Sequence, residues 1–133
     1  MPLENVEIVR RVHAAFNSGD MERILALMHA DFEIAVGPEL SPEPDTYTGH
    51  AGIRRYFESF RDVMDQIRFD PAGFREAGAS VVVAVRLSAR GRSTGIPVEQ
   101  HLGQVWTVHD GRAIQIRSYV SYPEALKAAG LAE

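Results

Sequence analysis

No cysteine occurs among the 133 residues, which excludes a disulfide framework and thiolate metal ligands. No apolar run approaches the roughly 20 residues that a membrane-spanning helix needs. The opening MPLENVEIVRR places charged and polar residues where a secretory leader would carry an unbroken apolar stretch, so a cytoplasmic location is expected. Basic charge is scarce as well. Fourteen Lys and Arg against eighteen Asp and Glu give a formal net charge of −4, whereas binding to a phosphate backbone depends on a concentrated basic surface. Arg54, Arg55 and Arg61 come nearest to one, and they read as the solvated face of a helix, so no nucleic-acid partner is expected. The five histidines lack close ligand spacing, and the acidic residues of PELSPEPD lack the regular oxygen-ligand spacing of a calcium loop. Without a glycine-rich phosphate loop either, the expectation is no metal and no other cofactor.

With 45% apolar residues, the chain is expected to form one domain, 1–133, around one core. Val9, Val12 and Phe16 recur at helical spacing, and Asn17, Ser18 and Gly19 supply residues that end helices. Asp20 can cap a second helix carrying Ile24, Leu25, Leu27 and Met28. Phe32 to Val36 reads as a short strand. The following GPELSPEPDTYTG holds three prolines and two glycines and reads as the longest loop, a lid or rim. Ile53, Tyr56, Phe57, Phe60, Val63 and Met64 then give the strongest helical pattern in the chain.

From Ile67 the period changes, and strands are predicted at about Ile67 to Phe74, Ser80 to Ala89, Val98 to Val108 and Ala113 to Tyr122. A last helix starts near Ser121 or Tyr122, with Pro123 in its first turn and the capping-box spacing of Ser121 and Glu124, and it ends at Gly130. Helices segregated from strands predict an α+β fold, with helices covering one face of a long curved sheet.

Three segments, AAFNSGDMERILALMHADFE, YTGHAGIRRYF and DGRAIQIRSYVSYPEAL, resemble the nuclear transport factor 2-like superfamily in its SnoaL-like branch, across essentially the whole chain. The resemblance implies a cone-shaped, curved mixed β-sheet, a half barrel with the N-terminal helices packed on its concave face around a mostly apolar pocket. It also implies a homodimer through the outer sheet face. Members include polyketide cyclases, ketosteroid isomerases, limonene-epoxide hydrolases, dehydratases and binders, so the fold alone assigns no reaction.

Which residues face the pocket depends on the register of the final hairpin. A three-residue loop at His109, Asp110 and Gly111 would set Trp106 opposite Ile114, Gln104 opposite Ile116 and Leu102 opposite Ser118, with His101, Gly103, Val105, Gln115, Arg117 and Tyr119 on the other face. A two-residue Asp-Gly turn would shift the register and bring His101 inward. The first is the adopted expectation, because it keeps Trp106 against an apolar partner.

By resemblance, epoxide hydrolases carry a carboxylate where this chain has Ser118, and an Arg and an Asp where it has Val85 and Leu87. Epoxide hydrolysis is therefore disfavoured. Cyclases carry an Asp and a His that fall at Ser118 and Gln104, which do not titrate near neutrality but can orient a ligand. Glu33 is the candidate catalytic base if it turns inward, as the resemblance suggests, whereas plain alternation puts Phe32, Ile34 and Val36 inward and Glu33 in solvent. Candidate ligand-binding residues are Phe16, Tyr47, Tyr56, Phe60, Gln100, Leu102, Gln104, Trp106, Ile116 and Ser118. His13, His29 and His50 read as polar residues on or beside helices. The expected function is binding of a small, mostly apolar, oxygenated molecule, with or without a cofactor-free isomerisation, cyclisation or dehydration. The alternative is a non-catalytic ligand-binding or dimerisation module.

Overall fold

Asp20 separates the first two helices. Gly19 turns the chain with a positive φ of 73°, and the Asp20 carboxylate accepts the Arg23 N–H at 3.2 Å, so α1 (Asn5–Ser18) gives way at once to α2 (Met21–Leu27). Met28, expected on the second helix, is the first residue of β1 (Met28–Val36). The computed structural model describes residues 5–36 and 45–131. Most of the predicted lid loop, residues 37–44, lies outside the described residues. Its DTYT end is a correction, because Asp45–Thr48 is a strand, β2, antiparallel to β1. The alternation of Thr46, Tyr47 and Thr48 suits a strand, and the prolines obscured it.

The third helix, α3 (Gly49–Val63), leads into β3 (Met64–Ala77), β4 (Ser80–Gly91), β5 (Pro97–His109), β6 (Arg112–Tyr119) and α4 (Tyr122–Ala128). The strands form one sheet in the order β2-β1-β6-β5-β4-β3, antiparallel except for the β1–β6 pair. This is the mixed sheet of an α+β cone fold. Its inner face carries Val81, Val83 and Val85 of β4, Leu102 and Trp106 of β5 and Ile116 of β6. Val9 and Val12 of α1 and Ile53 and Phe57 of α3 are buried against them. Each such fully buried aliphatic or aromatic side chain contributes about 1.5–3 kcal/mol relative to exposure.

The hairpin does not follow the expected loop. Its turn is the two-residue Asp110-Gly111, with φ of 53° and 75°, and His109 pairs with Arg112. One step on, Val108 pairs with Ala113 and Thr107 with Gln115, which leaves Ile114 as a bulge. The shorter turn and the bulge offset each other. Trp106 lies opposite Ile116 and Gln104 opposite Ser118, so the inner row keeps its facing although each pairing differs from expectation, and His101 stays outside and exposed.

The helices do not all lie on one face, contrary to expectation. Gly103 points away from the α1 side, and a Cβ there would lie 2.6 Å from the Ser121 carbonyl oxygen and 2.7 Å from the Ala125 Cβ. The outer face thus carries α4, set on its N-cap by Ser121, whose hydroxyl accepts the Glu124 N–H at 3.3 Å. Val82, on that same outer row, is fully buried.

Candidate functional site

Between α3 and the inner sheet face lies a cavity of ≈ 10 Å³, lined by Tyr56, Phe60, Phe69, Leu87, Leu102, Gln104 and Ser118. That is room for about one water molecule. Helical spacing in α3 presents Tyr56 and Phe60 on one stripe, and the directly opposed strand positions of Gln104 and Ser118 bring their side chains in from β5 and β6. Larger hollows among the described residues lie elsewhere and open to solvent. One of ≈ 360 Å³ sits between α1 and α2 beside Arg11, Ala14 and Arg23, and one of ≈ 450 Å³ borders the start of α4 beside Arg86, His101 and Tyr122. Their charged residues are exposed, whereas the interior cavity sets Gln104, Ser118 and the Tyr56 hydroxyl among apolar walls, the pattern of a ligand site.

Gln104 is 3% exposed, and its partners are specific. Its Oε1 accepts the Trp106 indole N–H at 2.8 Å and lies 3.1 Å from His13 Nε2. His13 Nδ1 lies 2.9 Å from the Val9 carbonyl oxygen. Both imidazole nitrogens therefore face oxygen acceptors. A neutral ring has one N–H and satisfies one contact, and the imidazolium would satisfy both. Burial opposes the charge and pulls the His13 pKa below its ordinary 6.5, with the Val9 and Gln104 contacts acting the other way. His13, which reads in the sequence as a polar residue on or beside a helix, lies in the interior, 1% exposed, its ring 5.3 Å from that of Trp106. Its i+4 position from Val9 on the apolar stripe was the available signal.

Tyr56 carries the other polar group of the lining. Burial, and then the neighbouring Tyr47, push its hydroxyl well above the ordinary tyrosine range, so it remains protonated. Its ring meets Tyr47 edge-on at 5.2 Å and Phe60 at 5.1 Å. Tyr47 is fully buried on β2, and the Arg55 guanidinium lies 4.3 Å from its ring centroid.

Five of the ten candidate binding residues, Tyr56, Phe60, Leu102, Gln104 and Ser118, meet at the cavity. Phe16, Trp106 and Ile116 form the packed wall behind it, with Phe16 4.7 Å from Phe57 and 6.1 Å from Trp106. Gln100 sits further along β5 opposite Leu87 and does not line the cavity. Phe69 and Leu87 do line it, and sequence reasoning did not name them as binding residues. The run VVVAVRL is apolar on both faces, so alternation could not single out its inner members.

Of the two readings of Glu33, the strand pairing fits the outward one. It pairs with Gln115 across the parallel β1–β6 ladder, and the Gln115 amide donates to its carboxylate at 3.4 Å. Phe32 and Ile34 are the buried inner residues, so strand alternation directs Glu33 to the outer face, away from Trp106 and Gln104. Among the described residues no carboxylate lines the cavity. His50 Nε2 lies 3.3 Å from the Met28 carbonyl oxygen, and His29 Nδ1 accepts the Asp31 N–H at 3.0 Å, both outside the cavity. Among the described residues no cluster of three His, Asp or Glu could hold a metal, and no helix is long and apolar enough to cross a membrane.

No curated protein matches this chain in sequence. Solved structures do. TerC, co-crystallised with polyporic acid, is 26% identical with a TM-score of 0.79, covering 95% of this chain and 98% of its own. An NTF2-like protein from Burkholderia xenovorans is 27% identical with a TM-score of 0.73 and 97% coverage of both chains. A protein with a ketosteroid isomerase-like fold from Catenulispora acidiphila, in complex with trimethylamine, is 17% identical with a TM-score of 0.76, covering 94% of this chain and 93% of its own. Residues 9–116 match the SnoaL-like domain, and with the mixed cone sheet and its interior cavity this places the chain in the SnoaL-like domain family.

Proposed function

We propose that the protein binds a small, mostly apolar molecule bearing oxygen functions, held between α3 and the sheet at Gln104 and Ser118, and releases it chemically unchanged. The carrying observation is the composition of the cavity, whose polar groups are an amide, an alcohol and a phenol that stays protonated, with no carboxylate or imidazole among the described residues of the lining. Such groups orient a ligand by hydrogen bonding but do not abstract a proton near neutral pH. TerC, co-crystallised with polyporic acid, supports reading this fold as a small-molecule site. A cavity of ≈ 10 Å³ admits a larger ligand only if the α3 side chains Tyr56 and Phe60 move outward, so binding on this reading is coupled to rearrangement of that wall.

The test is a thermal-shift screen of aromatic ketones and quinones, followed by mass spectrometry of each stabilising compound after prolonged incubation. Saturable stabilisation with the compound recovered intact is the expected result. Recovery of an isomerised, cyclised or dehydrated product would overturn the binding-only reading in favour of a cofactor-free isomerase or lyase.

A further inference from the structure

Which atom of Gln104 meets the cavity follows from its neighbour. The indole of Trp106 carries a donor and no acceptor, so at 2.8 Å it fixes the amide with Oε1 toward Trp106. Turning the amide over would set two N–H donors against each other in a site where both side chains are buried. The same oxygen also faces His13 at 3.1 Å. The Gln104 side chain lines the cavity opposite Ser118, and its contacts with Trp106 and His13 both run through Oε1, which leaves the Nε2 end of the amide for the cavity. What the amide presents to the cavity is thus an N–H donor.

From this we infer that the site selects a ligand with an acceptor oxygen, a carbonyl or quinone oxygen on an otherwise apolar frame, against hydrocarbons and against groups that only donate. Recognition runs through Gln104 Nε2, with Trp106 as the positioning residue that keeps the amide from inverting. The inference rests on the proposed binding function and narrows it to a class of ligand. An amide free to rotate would serve acceptors and donors alike. One held by an indole serves acceptors.

Three probes of one shape test it: 1-indanone, indane and 1-aminoindane, titrated into the protein while the Gln104 side-chain amide is followed by ¹H–¹⁵N NMR. The expected result is binding of 1-indanone about tenfold tighter than indane, a ratio typical of one added hydrogen bond in a dry site, with a saturable shift of the Gln104 amide pair. 1-Aminoindane should bind no better than indane. In Gln104→Met the ketone-to-hydrocarbon ratio should fall to about one, and in Trp106→Phe, where the amide can turn, 1-aminoindane should gain on indane. Equal binding of 1-indanone and indane with an unmoved Gln104 amide would overturn the inference and leave the pocket reading standing. A ketone preference that survives Gln104→Met would do the same. Failure of all three probes to bind would remove the pocket reading and the inference with it.

Discussion

Asn17 holds both backbone groups of Phe69: its Nδ2 donates to the Phe69 carbonyl and its Oδ1 accepts the Phe69 N–H, each at 2.8 Å. A side-chain amide at the end of α1 thus pairs with β3 as a neighbouring strand would. It covers part of an edge whose only strand partner among the described residues is β4. Asn17→Ala should lower stability by about 1–3 kcal/mol, the cost of leaving buried backbone groups unpaired. Urea unfolding should show a lower midpoint with an unchanged slope. Asn17→Asp should be no milder, because a carboxylate oxygen would face the Phe69 carbonyl. An unshifted midpoint in both variants would show that the pairing contributes nothing.

Gly103 has no space for a Cβ, since the Ser121 carbonyl oxygen and the Ala125 Cβ already occupy it. Gly103→Ala should cost about 1–3 kcal/mol by overpacking. The damage should be local, with hydrogen exchange accelerating in α4 while amides of α1 keep their protection, since α1 packs on the opposite face.

His13 makes stability depend on pH in a defined direction. Its folded-state pKa lies below the ordinary 6.5, so the unfolded chain takes up a proton that the folded chain resists. The His13 contribution is fully present above that ordinary value and is lost as pH falls from it toward the depressed one. Unfolding curves at about pH 7.5 and about pH 5.5 should therefore show a larger loss in the wild type than in His13→Gln. Parallel losses in the two proteins would show that His13 is not the group responsible.

Glu33→Gln should leave ligand binding unchanged and alter stability by no more than about 0.5 kcal/mol, as expected for a surface substitution. Its carboxylate meets Gln115 on the outer face, and the cavity lies on the other side of the sheet. Calorimetric titration with whichever ketone or quinone stabilises the wild type measures this. A large loss of affinity would place Glu33 at the site after all.

The elements with strong periodicity were legible in the sequence. Ile53, Phe57 and Phe60 mark α3, and the capping spacing of Asp20 and Ser121 marks α2 and α4, because these signals are local. The facing of Gln104 and Ser118 was also readable, although for an incomplete reason. The turn type and the bulge each change the count by one residue, and nothing in the string GRAIQI announces a bulge. For Glu33, alternation and the family pattern pointed to opposite faces, and the pairing of Glu33 with Gln115 follows alternation. The His13–Gln104–Trp106 network joins positions far apart in the chain, and no local pattern encodes a contact of that kind.

Ile114 is where the two-residue facing rhythm of the hairpin is reset. Removing it would leave the pairs on either side, Val108 with Ala113 and Thr107 with Gln115, as successive rungs of an uninterrupted ladder. Loss of a residue beyond the bulge, with the bulge kept, would instead exchange the wet and dry sides of β6 and carry Tyr119 to where Ser118 now meets Gln104. The hairpin thus has one dispensable residue, and its flanking positions must keep their number for the chain to keep an inside.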